Sequence, residues 1–228
     1  MLSDEEDRLI DYVEETYGCH TVILYGSRAL GTHRADSDWD FIGLKADGPE
    51  TFCHTRLEGV GELNGYIYPE AMGIFNPTAP SSLFVPLDPF VSRLRDAVVL
   101  VEEGSLGRDI VERARRMQRS GPPAITADKR AHTAHYFFDL RLADYLDTAP
   151  RKPGTPDALR DYMRHEVLMN SIFHYFRLRA MWVPAPNDWH AYLLQHDPAF
   201  LALLEQAEAK DAGRDAFAAL FTHVLAGE

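Results

Sequence analysis

The sequence has only two cysteines, Cys19 and Cys53, in 228 residues. That excludes a disulfide scaffold, and no C-x-x-C pair offers a zinc site. The 10 histidines are scattered and form no H-E-x-x-H run. No apolar stretch approaches the roughly 18 residues of a membrane span. Positive charge is scarce: 23 Lys and Arg stand against 35 Asp and Glu, a net charge of −12. A protein that grips nucleic acid over its whole surface carries the opposite sign, because neutralising phosphates drives such binding. Any basic groove must be local, within a field that repels polyanions. The 15 glycines and 14 prolines are too few for a fibrous or low-complexity chain. The opening MLSDEEDRL is acidic where a secretory leader is basic and then apolar. These absences predict a soluble cytoplasmic protein with no membrane partner.

What is present is an ordinary globular composition, 46% hydrophobic and 25% charged. The length suits one large domain or two small ones. Ser3 with Glu6 three residues on makes a capping box, and Leu9, Ile10, Val13 and Tyr17 follow at helical spacing, predicting a helix over Ser3–Tyr17. Strands are predicted at Thr21–Tyr25, Trp39–Leu44, Val60–Tyr68 and Ala97–Val101. Pro69 and the stretch Pro77–Pro89 read as loops, and Gly107–Gln118 as a helix. After Ser120-Gly121-Pro122-Pro123 the strand signal ends. Thr126 caps a predicted helix to about Leu146, Thr155-Pro156 opens another to about Arg179, and one or two more fill Asp188–Ala226. The expected fold is therefore α/β (α+β): residues 1–122 with a small mixed sheet, then an all-helical bundle over 123–228.

The segment that carries chemistry is Tyr25–Phe41, YGSRALGTHRADSDWDF. A strand ends at Gly26-Ser27, where free backbone N–H groups and the Ser27 hydroxyl favour an anion such as phosphate. Asp38 and Asp40 stand two apart on a predicted strand, so both carboxylates project from one face. Two like charges held together are costly unless a cation lies between them. Mg²⁺ suits such hard oxygen ligands and shares its remaining sites with phosphates and water. Either feature alone is common in turns and solvated strand ends. The two together, between strand-like runs, are far more specific.

The skeleton GSxxxGxxxxxSDxD resembles the signature of the polymerase-β-like nucleotidyltransferases, with the closest likeness to the minimal and kanamycin-type members. The motif resemblance covers about residues 20–70. The resemblance implies a small α/β domain followed by a helical bundle, with the nucleotide on the sheet facing the space between the halves. By position, Gly26 and Ser27 would hold the β- and γ-phosphates, with Arg28 and Ser37 completing the nucleotide set. Asp38 and Asp40 would be catalytic and bind two Mg²⁺ (or Mn²⁺) ions. The implied reaction transfers a nucleoside monophosphate from an NTP, ATP or another, to an acceptor hydroxyl and releases pyrophosphate.

One position departs from the pattern. The family usually carries a third acid on the next strand, and the matching stretch Leu63–Tyr68 has Asn64 there. An amide can ligate a metal through its carbonyl but cannot take a proton. Glu62, two residues earlier on the same strand face, is the expected catalytic replacement, with Glu58 nearer the strand start as a further candidate. In the helical half, Glu166, Asn170 and His174 form a polar line at four-residue spacing, and kanamycin-type relatives draw a base from that half. Arg160 and His165 fit the R-x4-H pattern of helical ribonucleases, but the same spacing recurs at Arg28–His33 and Arg130–His135. Phe173, Tyr175, Phe176, Met181 and Trp182 are read as bundle core, and Arg113, Arg115, Arg116 and Arg119 as a solvated helix face. Net acidity favours a small polar or cationic acceptor, or a protein side chain, over long RNA. An RNA 3′-end transferase and a regulatory, antitoxin-type nucleotide binder with a stable partner or homodimer are the alternatives.

Overall fold

The capping box forms as the sequence predicts. Glu6 N donates to Ser3 Oγ (3.2 Å), while Ser3 N donates to Glu6 Oε2 (2.7 Å). It opens α1 (Asp4–Tyr17), which ends at Gly18 and buries Leu9, Ile10 and Val13. A computed structural model of the chain describes residues 2–70, 87–142, 157–184, 186–209 and 212–226. The chain divides into two compact units, Met1–Ser120 and Gly121–Glu228.

The first unit is built on a five-stranded mixed sheet. After α1 come β1 (Cys19–Tyr25), the single turn α2 (Gly26–Ala29), β2 (Trp39–Lys45), β3 (Thr51–Leu57) and β4 (Gly61–Pro69). Then follow α3 (Leu87–Leu94), β5 (Val98–Val101) and α4 (Leu106–Ser120). The strand order is β3-β4-β2-β1-β5. Strands β2 and β4 run parallel; the other pairs are antiparallel. One face packs Val22, Leu24, Trp39, Phe41, Cys53, Leu63 and Ile67 with Leu9 and Val13 of α1. The opposite face, by strand alternation, carries Tyr25, Asp40, Asn64 and Tyr66.

Two elements differ from the sequence expectation. Strand β3 was not predicted, because only Cys53 of its seven residues is buried and the rest alternate weakly. It is an edge strand with little apolar signal. Helix α3 starts inside the stretch expected to be loop.

The second unit is helical. Helix α5 (Ala127–Ala134) begins at the Thr126 cap, whose Oγ1 accepts from Lys129 N at 3.3 Å. It continues into a π-helical segment, α6 (His135–Arg141). Helices α7 (Asp157–Leu178), α8 (Pro186–His196), α9 (Pro198–Glu208) and α10 (Arg214–Leu225) follow. Three helices thus occupy the region expected to hold one or two. The extra break falls at Asp197-Pro198, where Asp197 Oδ1 accepts from Phe200 N (2.9 Å) and caps α9. The expected helix end near Leu146 and the Thr155-Pro156 start lie outside the described residues. The core of this unit includes Phe137, Tyr175, Phe176, Phe200, Phe217 and Phe221, with Met181 partly buried against it.

Candidate active site

Strand pairing sets Tyr25 beside Asp40, Asp40 beside Asn64 and Asn64 beside His54, so one row of side chains crosses four strands on the face away from α1. Asp38 lies just ahead of β2. Between the two acids, Trp39 is buried in the opposite face and donates Nε1–H to Val60 O at 3.1 Å. Asp38 stands just outside the strand, on the other side of that fixed indole from Asp40, and its charge acts on the Asp40 carboxyl. Burial first, and then the Asp38 charge, push the Asp40 carboxyl up to about 6, with Arg93 pulling it back.

Asp40 reaches the Gly26 bend. A Cβ built on Gly26 would stand 2.6 Å from Asp40 Oδ2, and Gly26 has φ +76°. Only glycine meets both conditions, the left-handed backbone and the close approach. The Ser27 hydroxyl has no hydrogen-bond partner among the described residues. Ser27 O accepts from Thr32 N (2.9 Å), folding the segment after α2 back on itself. The structure thus brings the bend and the second acid of the motif together.

Two residues expected at the nucleotide are used elsewhere. Arg28 donates to Ser37 O (2.7 Å from Nη2) and to Asp38 O (3.2 Å from Nε). Its guanidinium stacks 4.1 Å from the Trp39 ring, and Glu5 lies 3.7 Å away. With its side chain only 8% exposed, Arg28 clamps the loop that delivers Asp38. Ser37 Oγ accepts from Arg34 N at 2.9 Å and so staples that same loop.

The third-acid position stays open. Asn64 Nδ2 donates to Asp40 Oδ1 at 3.4 Å, so the amide nitrogen and not the carbonyl faces the carboxylate. Glu62 is exposed and lies 3.7 Å from His54 Nε2. Glu58 sits in the turn before β4, and its carbonyl accepts from Arg8. Among the described residues, no three His, Cys, Asp or Glu side chains stand close enough to hold a metal ion. Two carboxylates with an adjacent amide still match a hard cation that takes its other ligands from phosphate and water, and the mutual repulsion of the acids is the kind a cation relieves.

Arg93 was missed by the sequence reading. It occupies the last turn of α3, with its guanidinium carbon 5.8 Å from the Tyr25 ring centroid. A signal was there: Leu87, Phe90, Val91 and Leu94 follow the i, i+3, i+4, i+7 pattern of a helix, hidden behind the prolines.

In the second unit, Glu166 Oε1 accepts from Tyr136 Oη (3.1 Å), Arg141 Nη2 (3.3 Å) and Asn170 Nδ2 (3.3 Å). That oxygen is already committed to joining α6 and α7. His174 is held neutral: burial, then Arg177, lowers its pKa to about 4. His165 is exposed, and the Arg160 side chain lies outside the described residues.

No family model matches the chain, and no curated protein matches it. Among solved structures, the chain is similar to a nucleotidyltransferase-like protein from Exiguobacterium sibiricum 255-15, with 13% sequence identity and a TM-score of 0.44. That match covers 98% of this chain and 74% of the other. No helix among the described residues is long and apolar enough to cross a membrane.

Proposed function

We propose that the chain is a metal-dependent nucleotidyltransferase that moves a nucleoside monophosphate from an NTP to an acceptor hydroxyl and releases pyrophosphate. The observation that carries this reading is the approach of Asp40 to Gly26, with the charge of Asp38 acting on the same carboxylate. A glycine bend beside adjacent acids suits a triphosphate chain carrying a divalent cation. Asp38 and Asp40 would hold Mg²⁺ or Mn²⁺, with Asn64 joining through its carbonyl once the amide turns over. The ions, when bound, offset the charge that develops on the attacking and leaving oxygens.

The protein's own part is positioning. The Gly26 bend lets the chain of phosphates approach the backbone, and the Ser27 hydroxyl is open to them. Arg28 and Ser37 fix the loop before β2, and Trp39 anchors the strand between the acids, so the carboxylates are set before substrate arrives. Glu62 is the base nearest in sequence to Asn64 on that face. The Glu166 oxygen with three donors is a poorer base, since accepting a proton would cost it those hydrogen bonds. The acceptor is a small polar or cationic molecule or a protein side chain, in keeping with the −12 net charge.

The test is a panel of NTPs labelled at the α-phosphate, with Mg²⁺ or Mn²⁺, against small-molecule, protein and RNA acceptors. Transfer of label to one of the first two classes, lost in Asp38→Ala and Asp40→Ala, is expected. Processive extension of RNA would replace the acceptor assignment. Nucleotide binding with no transfer would make the chain a binding protein.

A further inference from the structure

The phosphate end of the nucleotide carries up to four negative charges, and the motif itself brings little to meet them. Helix α2 is a single turn of four residues, too short to act as an anion site on its own. The arginine inside the motif, Arg28, spends its donors on the carbonyls of Ser37 and Asp38 and its flat face on Trp39.

Arg93 is in a different situation. It is half-buried, and it makes no hydrogen bond and no ion pair within 4 Å among the described residues. Its neighbours do: Arg95 donates to Asp96 Oδ2 (2.7 Å), and Arg115 to Arg95 O (3.0 Å). No Arg93 nitrogen is among the buried, unpartnered polar atoms of the described residues, so its donors face water and are open to an oxyanion. Its position is also specific. Tyr25, 5.8 Å from the guanidinium carbon, is the residue immediately before Gly26-Ser27 and the cross-strand partner of Asp40. Arg93 therefore stands at the place where the bend and the second acid meet, on an element separate from both. Lys45, at the far end of β2, is five residues from Asp40.

Resting on the nucleotidyltransferase reading, we propose that Arg93 binds the pyrophosphate-forming end of the nucleotide. The planar fork of a guanidinium matches two phosphate oxygens at once, which an ammonium does not. Arg93 acts on the part of the substrate that leaves and contributes little to holding the nucleoside or its first phosphate.

Calorimetric titration of the full chain in Mg²⁺ tests this with three probes: pyrophosphate, AMP and an ATP analogue with methylene between the α- and β-phosphates. Arg93→Gln is expected to weaken the analogue and pyrophosphate by about tenfold to a hundredfold, the worth of charge-assisted hydrogen bonds. AMP binding should stay unchanged, and Arg93→Lys should recover part of the loss. Arg28→Gln serves as the contrast: it should lower the melting temperature and weaken all three probes together. Unchanged pyrophosphate binding in Arg93→Gln overturns the proposal and leaves the nucleotidyltransferase reading standing. A wild-type chain that binds neither pyrophosphate nor the analogue overturns both.

Discussion

Asp40 Oδ2 lies 2.6 Å from the point that a Cβ on Gly26 would occupy. The bend and the acid are therefore one structure, and the glycine is required twice over, for its φ of +76° and for that contact. Gly26→Ala is expected to cost about 1–2 kcal/mol from the left-handed backbone alone. It should also push the Asp40 carboxylate off its place. Thermal denaturation should show the first effect, and titration with Mg²⁺ and a nucleotide should show loss of binding. A variant that melts lower but binds as before would separate the bend from the site.

Asp40 makes the folded chain sensitive to pH in a defined direction. Its carboxyl titrates near 6, raised by burial and then by Asp38, against about 3.9 in an unfolded chain. Between those values the folded state holds the extra proton, so stability falls as pH rises from about 4 to about 6 and stays low above. Asp40→Asn removes that liability. In chelator, the variant should gain melting temperature over wild type at pH 8 and gain little at pH 4, while losing Mg²⁺-dependent nucleotide binding. In wild type the metal competes with the proton, so binding should strengthen with pH and level off above about 6.

Glu62 is exposed, and its neighbour His54 lies 3.7 Å away across the strand pair. If it takes the proton of the acceptor hydroxyl, Glu62→Gln should slow single-turnover transfer by about a hundredfold or more, the usual range for a general base. Nucleotide affinity should not change, because a general base acts on the acceptor hydroxyl and not on the phosphates. Full retention of rate would return the base to another residue.

How much of this could be read in the sequence depends on how local the signal was. The Ser3–Glu6 box and the β1 and β2 runs are written within a few residues, and each forms as expected. The fates of Arg28 and Ser37 were not legible. Both stand in the motif, but their partners are backbone carbonyls and amides whose approach depends on how the loop folds. Arg93 is the converse case. It lies more than 50 residues beyond Asp40, on a helix that packs against α4, and only the tertiary fold brings it to Tyr25. Strand β3 escaped notice because an edge strand needs few apolar residues, and Cys53 is the single buried one in TFCHTRL.

The position of Asn64 gives the sharpest test of the metal assignment. Its amide nitrogen donates to Asp40 Oδ1 at 3.4 Å, a long and weak bond, in the place where the resembling family carries an acid. Asn64→Asp exchanges that donor for a third negative charge. At an effective dielectric near 20, two charges about 4 Å apart repel by about 4 kcal/mol before further screening by solvent. Without divalent ions the variant should therefore melt lower than wild type at pH 8. At pH 4, where Asp40 is protonated, the difference should shrink. Mg²⁺ should restore the lost stability, because a ligand that binds only the folded state stabilises it by mass action. Transfer should also quicken, since the added carboxylate supplies the missing ligand. A variant that is destabilised at pH 8 yet gains nothing from Mg²⁺ or Mn²⁺ would show that the row of Asp40 and residue 64 crowds charge without gathering a cation.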